Sequence, residues 1–462
     1  MIKKVLSNKI ALFLTLTALF IVMLSLVLFS IVRCSGTDIQ PGDVTERSVN
    51  ITGGLESGTN YYRMIVVDAG QDLIDPREYG TREPYAQVAQ GANEFAFTMT
   101  SLLLDQVGDD NFIFSPFSAW MPLVALANVT DESLQSQLLY ALKVPGVSVD
   151  ELNQGTSMLL FDLIGENLSS EEGSGSPLHI ANAIFVNQHL TLTQDFPQLF
   201  FDYYRGTTMT VDFDSEETVS MVNQWASDNT RGRIQNLVNH FNYDTDLVIA
   251  NAIYFADDWQ TLFLEERTRE GVFYSPTGEI TVYFMFRGLY MPYFEDDRMQ
   301  AVSLNFSSGG GLLIMLPKYG SGVELLQSMN EQYFTEILSG LSWEEGRLLL
   351  PRFTLESEEI ELLDALETLG IPLMNPFPGG ITEMVEEANL FIGGGIQRAM
   401  IEVDEQGATA AAVTFYDVEE ESEREPVIPF EMICNRPFAF ILYLPTFDGG
   451  AQILFTGVVN QP

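Results

Sequence analysis

The chain has 462 residues and sets 22 Lys and Arg against 64 Asp and Glu, a formal net charge of -42. Nucleic-acid binding relies on neutralising phosphates with Lys and Arg, so this balance excludes nucleic acid as a partner and disfavours anionic lipid surfaces, and solubility is its plainest consequence. Hydrophobic residues at 46% and aromatics at 11% suffice for a substantial core, while two cysteines cannot make a disulfide framework.

In chain order, Lys3, Lys4 and Lys9 precede 23 uncharged residues from Ile10 to Val32. As a helix that run is about 35 Å long, enough to span a bilayer core. The charge bias places the N-terminus inside and the rest outside, the topology of a single-pass cell-membrane protein. Residues 1–34 read as a retained signal anchor, because a cleaved signal peptide has an apolar core of roughly 7 to 15 residues. Cleavage, or lipidation at Cys34, is the alternative, although Arg33 stands where a lipidation junction wants a small residue. Residues 35–86 are rich in Gly, Ser, Thr and Asp and read as an extracytoplasmic linker, partly ordered because the alternation in Tyr61–Val67 predicts a short extra strand.

Residues 87–462 form the main domain. Phe95, Met99, Leu102 and Leu103 predict a helix over Glu94–Val107, and Ile360, Leu363 and Leu366 predict another over Glu358–Leu369, stopped by Gly370. Apolar runs at Leu247–Phe255, Leu312–Leu316, Phe438–Leu444 and Gln452–Val459 predict strands. Cys434, beside the closing strands, reads as a buried thiol, and Gly309–Gly311 and Gly393–Gly395 read as turns. Early helices and late strands give an α+β class. His179, His189 and His240 are the three histidines, and none stands in an H-E-x-x-H arrangement. With no G-x-S-x-G elbow or phosphate-binding glycine loop, the expectation is no enzyme, no cofactor and no metal.

From Glu402 to Glu425 the chain reads EVDEQGATAAAVTFYDVEEESERE. In a strand, Ala408, Ala410, Ala412, Thr414, Tyr416 and Val418 share one face, and Thr409, Ala411, Val413, Phe415, Asp417, Glu419 and Glu421 the other. A one-residue slip would bury Asp417 and Glu419, so the pattern specifies a register that only Glu420 breaks. Taken alone, the segment also fits an acidic surface loop.

Its surroundings decide between the two. The stretch Glu402–Ala412, followed about thirty residues later by Asn435-Arg-Pro-Phe and a closing apolar strand, resembles the reactive-centre region of the serpins. The resemblance runs from about Gln87 through Asn111–Ser118 (NFIFSPFS), Ala181–Val186, Asn223–Trp225, Thr230–Ile234, Leu247–Phe255, Trp259, Leu350–Phe353 and Leu369–Ile371, in the family's order. It implies a serpin fold of three β-sheets and about nine helices with an exposed reactive-centre loop. It also implies a serine protease inhibitor that acts as a suicide substrate: an extracellular serine protease forms a covalent acyl complex, and the cut loop inserts into the central sheet before deacylation. The partner set is then that protease, the membrane through the N-terminal helix and no nucleic acid, with the chain a monomer.

Residue by residue, Glu405 matches the hinge acid, Gly407 the hinge glycine and Ala408 the first inserting position, where the family usually has threonine. Thr409 stands where glutamate is common, and Ala410, Ala411 and Ala412 supply the small side chains that rapid insertion needs. At the family's usual spacing from Glu405, the reactive bond joins Glu421 and Ser422, similar to bacterial serpins whose Glu-Ser bond is attacked by elastase-like enzymes. Arg424 is the rival site for a trypsin-like protease, with Val418 and Tyr416 as weaker candidates. Ser115, Ser118 and Asn251 match a sheet-opening polar cluster, Gln397 replaces its usual histidine, and Trp259 matches an aromatic near the point of loop entry. Each of these also fits ordinary core satisfaction. Asn128–Ser133 departs from a small, glycine-containing family stretch. The alternative is a non-inhibitory, surface-tethered serpin fold that binds or scaffolds.

Overall fold

The computed structural model describes residues 62–64, 72–78, 83–164, 177–193, 195–241, 245–357, 360–371, 381, 383–386, 390, 392–408 and 429–462. The chain divides into Met1–Thr45 and Glu46–Pro462, and every described residue belongs to the second unit. The expected anchor, Ile10–Val32, and Cys34 therefore lie outside the described residues. Among the described residues no helix is long and apolar enough to cross a membrane.

The first sheet has nine strands. Its path runs Tyr62–Met64, Gly206–Val211, Leu178–Asn187, Leu247–Phe255, Ile392–Val403, Gly407–Ala408 and Asp257–Asp258, with Phe353–Glu356 and Ile360–Glu361 also pairing with Ile392–Val403. Tyr62–Met64 is the short extra strand, added antiparallel to the edge at Met209–Val211. Leu247–Phe255 is buried at all of its positions, because one core cluster covers one face and a smaller cluster around Phe185, Val222 and Val248 covers the other. A strand covered on both sides reads as an unbroken apolar run, which is why its ends are legible in sequence.

The second network also has nine strands, ordered Phe430–Ile433, Ser342–Pro351, Gly278–Glu295, Met299–Asn305, Gly311–Pro317, Phe438–Pro445, Ala451–Val459 and Phe112–Phe114, with Arg269–Ser275 paired to the third. Gly278–Glu295 joins two groups: it pairs with Arg269–Ser275 and Ser342–Pro351 as far as Tyr293, and with Met299–Asn305 only over Tyr293–Glu295. Counted as two groups sharing that corner, these strands and the first sheet make the three sheets of the expected α+β fold.

Nine α-helices lie among the described residues. Pro116–Leu126 is buried at every position and packs against Leu178–Asn187 and Leu247–Phe255 of the first sheet and Ala451–Val459 of the second. A helix apolar all round belongs inside a core, and Pro116 opens it at a position whose N–H would have no intrahelical partner anyway. This helix sits beneath the centre of the first sheet and carries the polar groups described below.

Three expectations are corrected. The first helix runs Tyr85–Leu104, nine residues earlier than predicted, because Tyr85, Val88 and Ala92 continue its buried stripe where small residues weaken the pattern. In the predicted helix Glu358–Leu369, Ile360–Glu361 instead pairs with Ile396–Gln397 and, among the described residues, only Leu363–Thr368 is helical, so sheet pairing overrides the local period. Gly393–Gly395 is part of the strand Ile392–Val403 and not a turn. Gly309 and Gly310 do turn the chain, with φ of 105° and 72°. Asn128–Ser133 forms a short 3-10 turn, Ala127–Val129, then an Asp131 cap that accepts from the Ser133 and Leu134 N–H groups. Cys434 is fully buried, and burial pushes its thiol pKa up.

Candidate functional site

The strand Ile392–Val403 ends at a turn, Asp404–Gln406, and the chain returns as Gly407–Ala408. Asp404 Oδ1 accepts from the Gln406 N–H at 2.8 Å and the Gly407 N–H at 3.2 Å, so the turn is closed by its own first residue. Trp259 holds it from the side: its backbone N–H donates to the Gln406 carbonyl at 2.8 Å and its indole Nε1 to the Asp404 carbonyl at 2.9 Å. The indole is itself fixed by stacking on Phe306, 4.9 Å between centroids at 12°.

Glu405 is 3% exposed. Its Oε1 accepts from Arg352 Nε at 2.8 Å and Nη2 at 2.6 Å, and also from the Thr268 hydroxyl. Burial alone would raise the carboxyl pKa, but the hydrogen bonds from Arg352 and Thr268 outweigh it and hold the group below the usual carboxylate value. Glu405 thereby ties the hinge to Arg352, which lies between Ser342–Pro351 of the second network and Phe353–Glu356 of the first sheet.

Gly407 and Ala408 form a two-residue strand between Val403, which pairs with Ala408, and Asp257–Asp258, which pairs with both. A Cβ on Gly407 would stand 2.1 Å from the Asp257 carbonyl oxygen, so only glycine fits there. Ala408 has 0% exposure and already faces the core. Further down, Ile392–Ala399 pairs directly with Leu247–Ile253, with no strand between them. The sheet is thus wedged open at one end by two loop residues and closed over the rest of its length.

Along Ile392–Val403, Gln397, Ala399, Ile401 and Val403 are buried, while Arg398, Met400 and Glu402 are only partly so. The buried face carries a polar row. Asn182, Asn251 and Gln397 stand opposite one another on three adjacent strands. Gln397 is fully buried, accepts from the Ser115 N–H at 2.9 Å and donates to the Ser115 carbonyl at 2.8 Å, linking the sheet to the start of the buried helix. The Ser115 hydroxyl continues to the Leu454 carbonyl at 2.7 Å, in the second network. Asn251 Nδ2 donates to Asn182 Oδ1 at 2.6 Å. By contrast, Asn251 Oδ1 and the Ser118 hydroxyl are buried without a hydrogen-bond partner among the described residues.

Of the residues expected at a site, Glu405, Gly407, Ala408 and Trp259 therefore meet at one hinge, and Asn251 and Gln397 stand in one row, with Ser115 bonded to Gln397 from the start of the buried helix and Ser118 on that helix. Thr409, Ala410, Ala411, Ala412, Glu421, Ser422 and Arg424 lie outside the described residues. Three partners were not anticipated: Arg352 and Thr268 at the hinge and Asn182 in the row. Asn182 had a signal, since Ile180–Ile184 and Ile249–Ile253 are the same pentapeptide IANAI and pair with each other antiparallel, Asn against Asn. No group of His, Cys, Asp and Glu that could hold a metal occurs among the described residues.

A family model described as serpin, serine protease inhibitor, matches residues 90–462. The chain belongs to the serpin family. An uncharacterized serpin-like protein of Thermococcus kodakarensis is 29% identical over 380 residues, covering 81% of this serpin and 86% of that relative, and serpin A3-7 of Bos taurus is 27% identical with 84% and 92% covered. The thermophilic serpin tengpin in its native state superposes with a TM-score of 0.72 at 24% identity, covering 85% of this serpin and 97% of tengpin. Human thyroxine-binding globulin, solved in complex with its ligand, gives 0.71 at 21% identity, covering 82% and 99%. The family is one of serine protease inhibitors, generally not catalysts, so this serpin shares a fold whose general role is protease inhibition. The globulin shows that the fold also occurs in a thyroxine-binding protein.

Proposed function

We propose that this serpin inhibits a serine protease as a suicide substrate. The observation that carries the reading is the hinge: Ala408 is already seated in the sheet between Val403 and Asp257, while the strands below it remain paired and available to part. A protease serine would attack the Glu421 carbonyl, forming an ester, and Ser422 would leave as a free amine. Freed at that end, the loop would continue the strand begun by Gly407–Ala408, gaining backbone hydrogen bonds on both sides and releasing the strain of the uncut state before water could hydrolyse the ester.

Small inward side chains at Ala410 and Ala412 favour this over a binding protein with the same fold. Glu421–Ser422 is the proposed reactive bond, which points to an elastase-like target, with Arg424 as the rival site. The domain is proposed to act outside the cell as a monomer, held to the membrane by residues 1–34. Incubation of the chain with elastase-like, glutamate-specific and trypsin-like serine proteases tests the reading. A complex that survives denaturant with at least one of them supports it; cleavage without a complex by all of them overturns it in favour of a non-inhibitory scaffold.

A further inference from the structure

Pairing between Ile392–Val403 and Leu247–Phe255 stops at Ala399 and Ile253, and beyond that point the two strands diverge around Gly407–Ala408. On the outer face of the sheet a side chain from a third element crosses the divergence. Arg233 follows the helix Glu216–Asn229, and its guanidinium lies 5.8 Å from the ring centroid of Tyr254 on one strand while its Nη1 lies 3.2 Å from Glu402 Oε2 on the other. Tyr254 is itself held by His179, whose ring stacks with it at 6.1 Å between centroids and 20°.

The turn that carries Arg233 is anchored on both sides. Thr230 is fully buried, and its hydroxyl donates to the Ala226 carbonyl at 2.8 Å and accepts from the Ile234 N–H at 3.0 Å. Ile234 is buried as well. Between them Arg231 and Gly232 take left-handed φ of 52° and 78°, a conformation that is costly for an arginine and holds only where the surroundings impose it. Arg233 is therefore presented to the sheet by a fixed support. A strand entering between two neighbours moves them apart by about 4.8 Å. A guanidinium that stays over Tyr254 then loses Glu402, and one that follows Glu402 leaves the ring.

We propose that Arg233 latches the uncut sheet, clasping Tyr254 on one strand and Glu402 on the other so that their joint stays closed until the clasp is broken. The latch is a property of the uncut chain; its use, as a brake on opening during inhibition, rests on the insertion reading above.

Hydrogen exchange followed by mass spectrometry tests it, reading the amides of Leu247–Ile253 and Ile392–Ala399 in the uncut full chain. Arg233 and Glu402 side chains are each 38% exposed, which keeps the effect modest. Arg233→Gln and Glu402→Gln should each speed exchange at the joint about three- to tenfold and leave Phe438–Pro445 in the second network unchanged. The double variant should exceed neither single one, and the swap Arg233→Glu with Glu402→Arg should recover most of the protection. In the wild type, high salt should speed exchange at the joint in the same direction, a check that needs no variant. Joint exchange unaltered by Arg233→Gln and by salt overturns the latch. With a protease that the chain traps, Arg233→Gln should raise the limiting rate of trapping by a similar factor. Faster exchange with an unchanged trapping rate overturns the brake, whereas faster exchange in a chain that traps no protease leaves the latch standing and overturns the insertion reading.

Discussion

The hinge and the polar row lie on the same strand, six residues apart at Val403 and Gln397, and they treat buried polarity in opposite ways. At the hinge, the one buried carboxylate is met by a two-pronged Arg352 and by Thr268, and the turn is stapled by Asp404 and Trp259. In the row, Gln397 is matched on both sides while its neighbour Asn251 keeps an unmatched oxygen and Ser118 an unmatched hydroxyl. A fully matched group resists change, because moving it exposes or strands a partner. An unmatched one favours whatever brings the missing partner. The proposed loop insertion calls for such a difference, a fixed pivot beside a strand that can move.

Breaking the pivot's seat should have the largest effect. Ala408 is fully buried, so Ala408→Arg should turn inhibitor into substrate, with protease trapping abolished and loop cleavage intact when the stoichiometry of inhibition is measured. Unchanged stoichiometry would remove the seat from the mechanism. Gln397→Leu comes next: it strands the buried Ser115 N–H, leaves the Ser115 carbonyl with the Ala119 N–H at 3.3 Å as its donor, and should destabilise the uncut chain by about 3 kcal/mol in denaturant unfolding.

Arg352→Met should cost less, about 2 kcal/mol at neutral pH against roughly 3–5 for a fully enclosed pair, because the arginine side chain is 44% exposed. Here pH sharpens the contrast between the two regions. The folded Glu405 pKa is depressed below its ordinary 4.5, so its stabilisation is fully present above that value and is lost as pH falls through the depressed pKa. The gap between wild type and Arg352→Met should therefore narrow as pH falls through the depressed Glu405 pKa and the carboxyl becomes protonated in both. The gap for Gln397→Leu, a group that does not titrate, should stay constant.

How far these regions were legible in sequence follows from the range of the forces involved. Leu247–Phe255 was placed to the residue, since burial on both faces writes itself as a continuous apolar run. Ile360–Glu361 was misplaced because its helical spacing is local and its strand partner, Ile396–Gln397, is not. The same division holds at the site. Glu405, Gly407 and Ala408 sit in one short motif and were found together, whereas the partners of Glu405 lie 53 and 137 residues away. Arg352 was inside a recognised stretch, Leu350–Phe353, and in a chain with 22 basic against 64 acidic residues a cation at a buried motif was the signal that could have named it. Gly393–Gly395 looked like a turn because nothing nearby in sequence explains a strand of glycines; the partners that make it one, Val248 and Ile249, are far away in the chain.

The most direct test of loop insertion is to react the chain with an elastase-like serine protease, isolate the adduct under denaturing conditions and sequence the peptide it releases. The account predicts an adduct stable to denaturant and a released peptide that begins at Ser422. No adduct with any protease of the panel, with the loop nonetheless cut, would contradict it.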